Sequence, residues 1–206
     1  MKVTTPRLIR WAGLSAMVAG IIFTAIQPTH PLINTSTFFI ITSFKTSISI
    51  FGLLGIAGLY ARQVEETGWP GFGGYLLLTI YYAVQMCISF IEPTILPLLT
   101  TLAPTFVESV LQLSSGVGSP TNLGSLTTIY SLASILYVLG SLLFGIATFR
   151  ARILPRGAAA LLAVSGPLAG TMFALLLSAR PVDIDTNRAA MIWLGYALFS
   201  NDEGTV

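Results

Sequence analysis

The chain has 206 residues, of which 9% are charged and 54% are hydrophobic. A soluble domain carries about 25% charged residues, so this chain has too little charge to cover a water-facing surface. The same numbers exclude a disordered chain, and an integral membrane protein is the remaining class. A net charge of +2 gives no basic face for nucleic acid.

The rarity of two residue types limits the chemistry further. Cys87 is the single cysteine and His30 the single histidine, which excludes an internal disulfide and any site built from several histidines. We therefore predict neither a metal nor a cofactor. The sequence also carries no nucleotide-binding, hydrolase or zinc-protease motif.

Six stretches of the chain are apolar enough to form membrane helices, which need about 20 residues each. We predict an all-α integral membrane protein, a single transmembrane bundle with spans at residues 11–27, 37–60, 72–92, 126–149, 158–178 and 186–200. The first span is predicted to be a retained anchor, because no small-x-small cleavage pattern follows it. The sixth crosses only if its helix begins near Asp185 or if the bilayer thins, since its apolar run covers only residues 189–200.

The positions of Lys and Arg predict the orientation, because cytoplasmic segments carry an excess of both. With the N-terminus inside, the basic residues of the cytoplasmic segments are Lys2, Arg7, Arg10, Arg62, Arg150, Arg152 and Arg156, and those of the outer segments are Arg180 and Arg188. Both termini are therefore predicted to be cytoplasmic.

The longest connection is the outer loop at residues 93–124. Within it, residues 104–113 are predicted to form a short amphipathic helix. One face of that helix carries Phe106, Val107, Val110 and Leu111, and Glu108 lies opposite. Two interpretations are open: an interfacial helix with a tether, or a lid over an outward-facing cavity.

A weak internal repeat relates two pairs of spans. GIAGLYAR at 55–62 and GIATFRAR at 145–152 share five identities in eight positions, at an offset of 90 residues. Both segments end an outside-to-inside span and lead through a proline-containing turn into the next span. Spans 2–3 and 4–5 are therefore candidates for a duplicated helical hairpin, with chance similarity between apolar segments as the alternative.

Polar residues inside the spans form three stripes at helical spacing. They are Thr42, Lys45 and Ser49 on the second span, Tyr82, Gln85, Ser89 and Glu92 on the third, and Thr127, Tyr130, Ser134 and Tyr137 on the fourth. Lys45 lies about 25 Å from the inner boundary at Arg62 by the helical rise, which places it in the outer half of the membrane. Because polar faces avoid lipid, we expect the stripes to converge there, with His30 beside them.

Lys45 and Glu92 each have more than one interpretation. The Lys45 ammonium either snorkels to the outer headgroups, pairs with Glu92, or holds an anionic headgroup in a functional cavity. Glu92 is either an interfacial carboxylate in water or a general acid. His30 is either simply hydrated or a third member of the same group.

Three segments spread over most of the chain, RLIRWAGLSAMVAGIIF, GLYARQVEETGW and WLGYALFS, carry a resemblance. At these segments the chain resembles small multi-pass bacterial membrane proteins of unknown function. The resemblance implies a six-span protein of the bacterial inner membrane. It implies no activity and no site residues.

The sequence leaves three functional interpretations open. The first is binding, with or without transport, of a lipid-like or amphipathic small molecule in an outer-half pocket, with membrane lipids as the surroundings. The second is an accessory or scaffold subunit, partnered by another membrane protein or by further copies of the chain. The third is a membrane-embedded cyclase or isomerase that uses Glu92 as an acid. The converging stripes favour the first, as does the interpretation of residues 104–113 as a lid.

Overall fold

The computed structural model describes residues 4–26, 32–33, 35–114, 121–175 and 186–200, with the backbone alone at 169–175. Every regular element in this part of the chain is a helix, which confirms the predicted all-α class there. The helices are α1 (Thr5–Ile26), α2 (Ser36–Thr94), α3 (Leu96–Leu99), α4 (Pro104–Ser114), α5 (Ser125–Ala151), α6 (Arg156–Leu175) and α7 (Thr186–Ser200). Of these, α1, α2 and α5 are long and apolar enough to cross a membrane.

Helix α2 is interrupted by a turn. Its backbone leaves helical geometry at Gln63 (φ −130°, ψ 19°) and at Gly68 (φ 56°, ψ −157°). The Gly68 conformation is essentially confined to glycine, because a Cβ would clash with the backbone there. Pro70 follows at the start of the next helical segment, where its missing N–H costs nothing. The turn therefore follows from this short sequence.

The two segments of α2 lie side by side in opposite directions. We call residues 36–62 the first arm and residues 69–94 the second arm. Tyr60 on the first arm stacks on Tyr75 of the second, with ring centroids 4.5 Å apart. We call the end of the bundle with the residue 63–68 turn the turn end, and the opposite end the cap end.

The helices form a closed ring. Helix α1 packs on α2 and α7, α2 packs on α5, α5 on α6, and α6 on α7. The main core lies inside this ring, and its largest fully buried side chains include Ile56, Leu59, Leu78, Phe144, Leu162, Met191 and Leu194. Helices α3 and α4 lie across the cap end, against the second arm and α5.

Small residues let neighbouring backbones approach closely. A Cβ added to Gly74 on the second arm would lie 2.8 Å from the Cα atom of Phe144 on α5. A Cβ added to Gly145 on α5 would lie 2.6 Å from the Cα atom of Ala163 on α6. Such contacts are typical of helices that pack in lipid, where apolar burial alone gives little driving force.

The outer surface of the ring is apolar. Its exposed large side chains include Phe39, Leu54, Ile80, Phe90, Ile135 and Leu139, from both arms of α2 and from α5. Water-soluble monomers rarely expose continuous apolar patches larger than about 300–600 Å². The fold is therefore compatible with a membrane protein.

Candidate functional site

An ion pair joins the two arms of α2 near the cap end. The Lys45 Nζ atom donates to Glu92 Oε2 at 2.7 Å. The Lys45 side chain is 40% exposed, whereas the Glu92 side chain is 5% exposed. Lys45 therefore reaches the pair from the outer surface of the bundle, and Glu92 lies in its interior. A bond of this length between two charged partners is strong, and it compensates the buried carboxylate.

Glu92 also forms part of the wall of a cavity of about 220 Å³. This cavity, which we call the Glu92 cavity, lies between the second arm, α3, α4 and α5. Its apolar wall includes Ile88, Leu96, Leu99, Phe106, Val110 and Leu126. Among the described residues, Glu92 and Tyr130 are the wall residues with polar side chains. The site is thus an apolar chamber with a carboxylate and a phenol in its wall.

Helix α4 covers the Glu92 cavity. Val107 and Val110 are each 4% exposed and join Leu96 in a small apolar cluster separate from the main core. Thr121, which precedes α5, donates a hydrogen bond to Ser109 Oγ at 2.6 Å. Helix α4 is therefore attached to the rest of the bundle by a small apolar surface and this hydrogen bond, independently of the main core.

Most of the other stripe residues make hydrogen bonds within their own helices. Those bonds run from Thr42 to the Phe38 carbonyl, from Ser49 to the Lys45 carbonyl, from Ser134 to the Tyr130 carbonyl, and from Gln85 to Ser89 Oγ. A hydroxyl that bonds to the carbonyl one turn earlier satisfies itself locally. These side chains are not part of the cavity wall.

Two of the predicted tyrosines belong to the packing of the bundle. Tyr82 is buried in the main core, where its ring occupies the space that a Cβ on Gly52 would need. Tyr137 donates to Ser165 Oγ on α6 at 3.1 Å and packs against Tyr81, with centroids 4.9 Å apart. From the three stripes, the structure brings together Lys45, Glu92 and Tyr130.

His30 lies outside the described residues. Within the described ranges, no group of three or more His, Cys, Asp or Glu side chains lies close enough to hold a metal ion. In the part of the chain that the structure describes, the polar groups of the site are the Lys45–Glu92 ion pair and the Tyr130 hydroxyl.

The apolar wall of the Glu92 cavity was not predicted from the sequence. Leu96, Phe106 and Leu126 come from three separate helices, and whether each faces the cavity depends on how α3, α4 and α5 pack together. Hydrophobic periodicity cannot separate a cavity wall from a lipid-facing surface, because both are apolar. The amphipathic pattern of α4 was the available signal, because it placed Phe106 and Val110, two of the wall residues, on one apolar face.

A buried polar cluster at the turn end was also missed. Gln63 is 1% exposed, and its Nε2 donates to Thr148 Oγ1 on α5 at 2.7 Å. Thr67 donates to the Gln63 carbonyl at 2.9 Å. The Gln63 Oε1 atom is buried without a hydrogen-bond partner among the described residues. A glutamine next to a charged turn looks solvent-exposed in the sequence, so only the helix break at this position could have marked it.

Thr148→Val is expected to destabilise the protein by roughly 1–3 kcal/mol, because it leaves the buried Gln63 amide without its acceptor. The double variant with Gln63→Leu should recover much of that loss, since neither polar group then remains. Reversible unfolding in detergent micelles measures both. Thr128→Val, at an exposed position of α5, is the matched control and should change stability by less than about 0.5 kcal/mol. Equal effects at Thr148 and Thr128 would show that the hydrogen bond contributes nothing.

Comparison with known proteins adds no relative. The chain matches no protein-family model, no curated protein and no solved structure.

Proposed function

We propose that the chain is a six-span integral membrane protein that binds a lipid-like or amphipathic small molecule in the Glu92 cavity. The observation that carries the proposal is a buried carboxylate, compensated by Lys45, in the wall of an otherwise apolar cavity under α4. Well-packed apolar residues usually stabilise a fold at least as well as a buried ion pair does. An ionisable pair inside a membrane domain therefore favours a functional role over a purely structural one.

The proposed spans are α1, the first and second arms of α2, α5, α6 and α7. The 15 residues of α7 extend about 22 Å, short of the roughly 30 Å hydrocarbon core. Local thinning of the bilayer or a longer helix than the described one would complete this span. The apolar outer surface of the ring supports contact with lipid all round.

The distribution of charge supports an orientation with the turn end in the cytoplasm. The arginines at the turn end are Arg7, Arg10, Arg62, Arg150, Arg152 and Arg156, whereas Arg188 lies near the cap end. Positive residues favour the cytoplasmic side of a bacterial inner membrane. Trp11 and Trp69, which are 66% and 83% exposed at the same end, suit the headgroup layer. The proposal thus has both termini in the cytoplasm and the Glu92 cavity in the outer half.

Duplication of a helical hairpin is part of the proposal. Gly55 and Gly145 occupy the same place in the two copies of the repeated segment. Each lies against an alanine of the adjacent helix, Ala16 on α1 for Gly55 and Ala163 on α6 for Gly145. Both glycines allow close helix packing, but Gly145 packs within its own hairpin, whereas Gly55 packs on α1, outside the α2 hairpin. The repeated sequence itself is therefore what supports duplication.

In the proposed complex, the ligand inserts one end into the Glu92 cavity. A volume of about 220 Å³ is below the ~300–1,000 Å³ of pockets that enclose a drug-sized ligand. The rest of the ligand therefore extends out of the cavity, and α4 covers the inserted end. Burial of apolar ligand atoms supplies the affinity, at ~25 cal/mol per Å² of buried surface.

Val110→Trp tests the proposal by filling the cavity. Val110 is 4% exposed and lies in the cavity wall, so a tryptophan there is expected to remove most of the co-purifying ligand. Mass spectrometry of lipids extracted from the purified protein measures the bound amount per chain. Thr105→Trp, at an exposed position of the same helix, is the control and should retain the ligand. A subunit function would instead give a stoichiometric protein partner and the same lipids in both variants.

A further inference from the structure

We propose that the ligand of the Glu92 cavity carries an uncharged hydroxyl group at its inserted end, and not an anionic headgroup. This inference rests on the function proposed above and specifies its ligand class. It also reverses the expectation that Lys45 holds an anion, because Lys45 is absent from the described cavity wall.

The polar wall groups define what the cavity accepts. Lys45 occupies Oε2 of Glu92 from the outer surface of the bundle. Among the described residues, the hydrogen bond to the Glu92 carboxylate is the one from Lys45 to Oε2, which leaves the other oxygen, Oε1, to accept from a ligand. A carboxylate only accepts hydrogen bonds, whereas the Tyr130 hydroxyl both donates and accepts. A ligand hydroxyl fits both groups, since it donates to Glu92 and accepts from Tyr130.

The charges of the site exclude an anionic or a cationic group at the inserted end of the ligand. An anionic group in the cavity would face the Glu92 carboxylate in a low-dielectric chamber, with the Lys45 charge already neutralised on the other side. A cationic group would compete with Lys45 for Glu92 and leave the site with a net positive charge inside hydrocarbon. A hydroxyl satisfies both wall groups and leaves the ion pair neutral.

The size of the cavity limits what enters with the hydroxyl. A volume of about 220 Å³ corresponds to roughly seven water-sized groups at ~30 Å³ each. The inserted part is therefore the hydroxyl and a short adjoining apolar segment. Long-chain alcohols, diacylglycerol-like lipids and polycyclic alcohols share this chemistry.

Photo-crosslinking with matched probes tests the inference. The probes are three alkyl chains of equal length, each with a diazirine near one end, that terminate in a hydroxyl, a carboxylate or a primary amine. The full chain is purified into phosphatidylcholine nanodiscs and irradiated with each probe at the same mole fraction. Peptide mapping then gives the labelling at Phe106, Val110 and Leu126.

We expect the hydroxyl probe to label these positions about tenfold more than the carboxylate probe, the ratio for one hydrogen bond to a charged group. The amine probe should also label them less than the hydroxyl probe. Cavity labelling by the carboxylate or amine probe that equals or exceeds that of the hydroxyl probe overturns the inference but leaves the proposed function standing. Absence of cavity labelling by all three probes overturns both.

Two variants test the roles of Tyr130 and Glu92 in ligand binding separately. Tyr130→Phe keeps the ring and removes the hydroxyl, so labelling by the hydroxyl probe should fall severalfold while labelling by a probe that ends in a methyl group should not change. Glu92→Gln removes the repulsion between the Glu92 carboxylate and the carboxylate of the probe. Labelling by the carboxylate probe should therefore increase relative to labelling by the hydroxyl probe. Unchanged probe ratios in both variants would contradict the assigned roles of Tyr130 and Glu92.

Discussion

Lys45→Met is expected to destabilise the protein more than Glu92→Gln does, although each removes one half of the same ion pair. Loss of Lys45 leaves the Glu92 carboxylate, 5% exposed, without a compensating charge in an apolar interior. Removal of one partner from a buried pair costs about 3–5 kcal/mol, and we expect Lys45→Met to approach that range. Loss of the Glu92 charge leaves a lysine that is 40% exposed and whose long stem can turn toward the headgroup layer.

Glu92→Gln should therefore lower the free energy of unfolding by about 1 kcal/mol, as the loss of a solvent-exposed ion pair does. The double variant Lys45→Met/Glu92→Gln should recover most of the stability lost in Lys45→Met, since no unpaired charge remains. Equilibrium unfolding of all four proteins in the same micelle gives the complete cycle. A larger loss for Glu92→Gln than for Lys45→Met would contradict the assignment of Glu92 to the interior and Lys45 to the outer surface.

Gly74→Ala is expected to have the second large effect. A Cβ at position 74 would lie 2.8 Å from the Cα and Cβ atoms of Phe144, and Phe144 is fully buried. The second arm and α5 must then separate, at a cost of roughly 1–3 kcal/mol or more.

The adjacent glycine gives a matched control for this prediction. A Cβ added to Gly73 meets no atom within 4 Å. Gly73→Ala should therefore be neutral or stabilising, by up to about 1 kcal/mol, because alanine favours a helix over glycine. Thermal unfolding in micelles compares the two variants directly. Equal stability of Gly73→Ala and Gly74→Ala would show that the arm and α5 do not pack through Gly74.

Much of the helical layout follows from the sequence. The low charge content predicted a membrane environment, with which three of the helices are compatible. Apolar runs separated by Gly, Pro and Arg predicted the helices and the turns between them. The interpretation of Lys45 as one half of an ion pair was also within reach, because the 1.5 Å rise per residue places Glu92 about 8 Å nearer the outer surface than Lys45 on the adjacent predicted span, within reach of the long lysine side chain. Which partner of that pair is exposed and which is buried could not be predicted from the sequence, since the burial of each side chain depends on the neighbouring helices.

The stripes show why helical spacing alone did not define the site. Tyr130 and Tyr137 share a face of α5 by spacing, yet Tyr130 lies in the cavity wall and Tyr137 bonds to α6. Helix α5 packs on α2 at one side and on α6 at the other. Residues of one stripe can therefore contact different neighbouring helices. Serine and threonine add a second ambiguity, because they bond to their own backbone and need no polar partner across the bundle.

Ligand binding in the Glu92 cavity is tested most directly by a crystal structure of the chain in a lipid mesophase, purified gently enough to retain native lipids. We expect non-protein density inside the Glu92 cavity, in contact with Glu92 and Tyr130 and continuous with an apolar chain that leaves the cavity. A cavity that is filled by side chains of the protein itself, or that stays empty while ordered lipids surround the bundle, would contradict it.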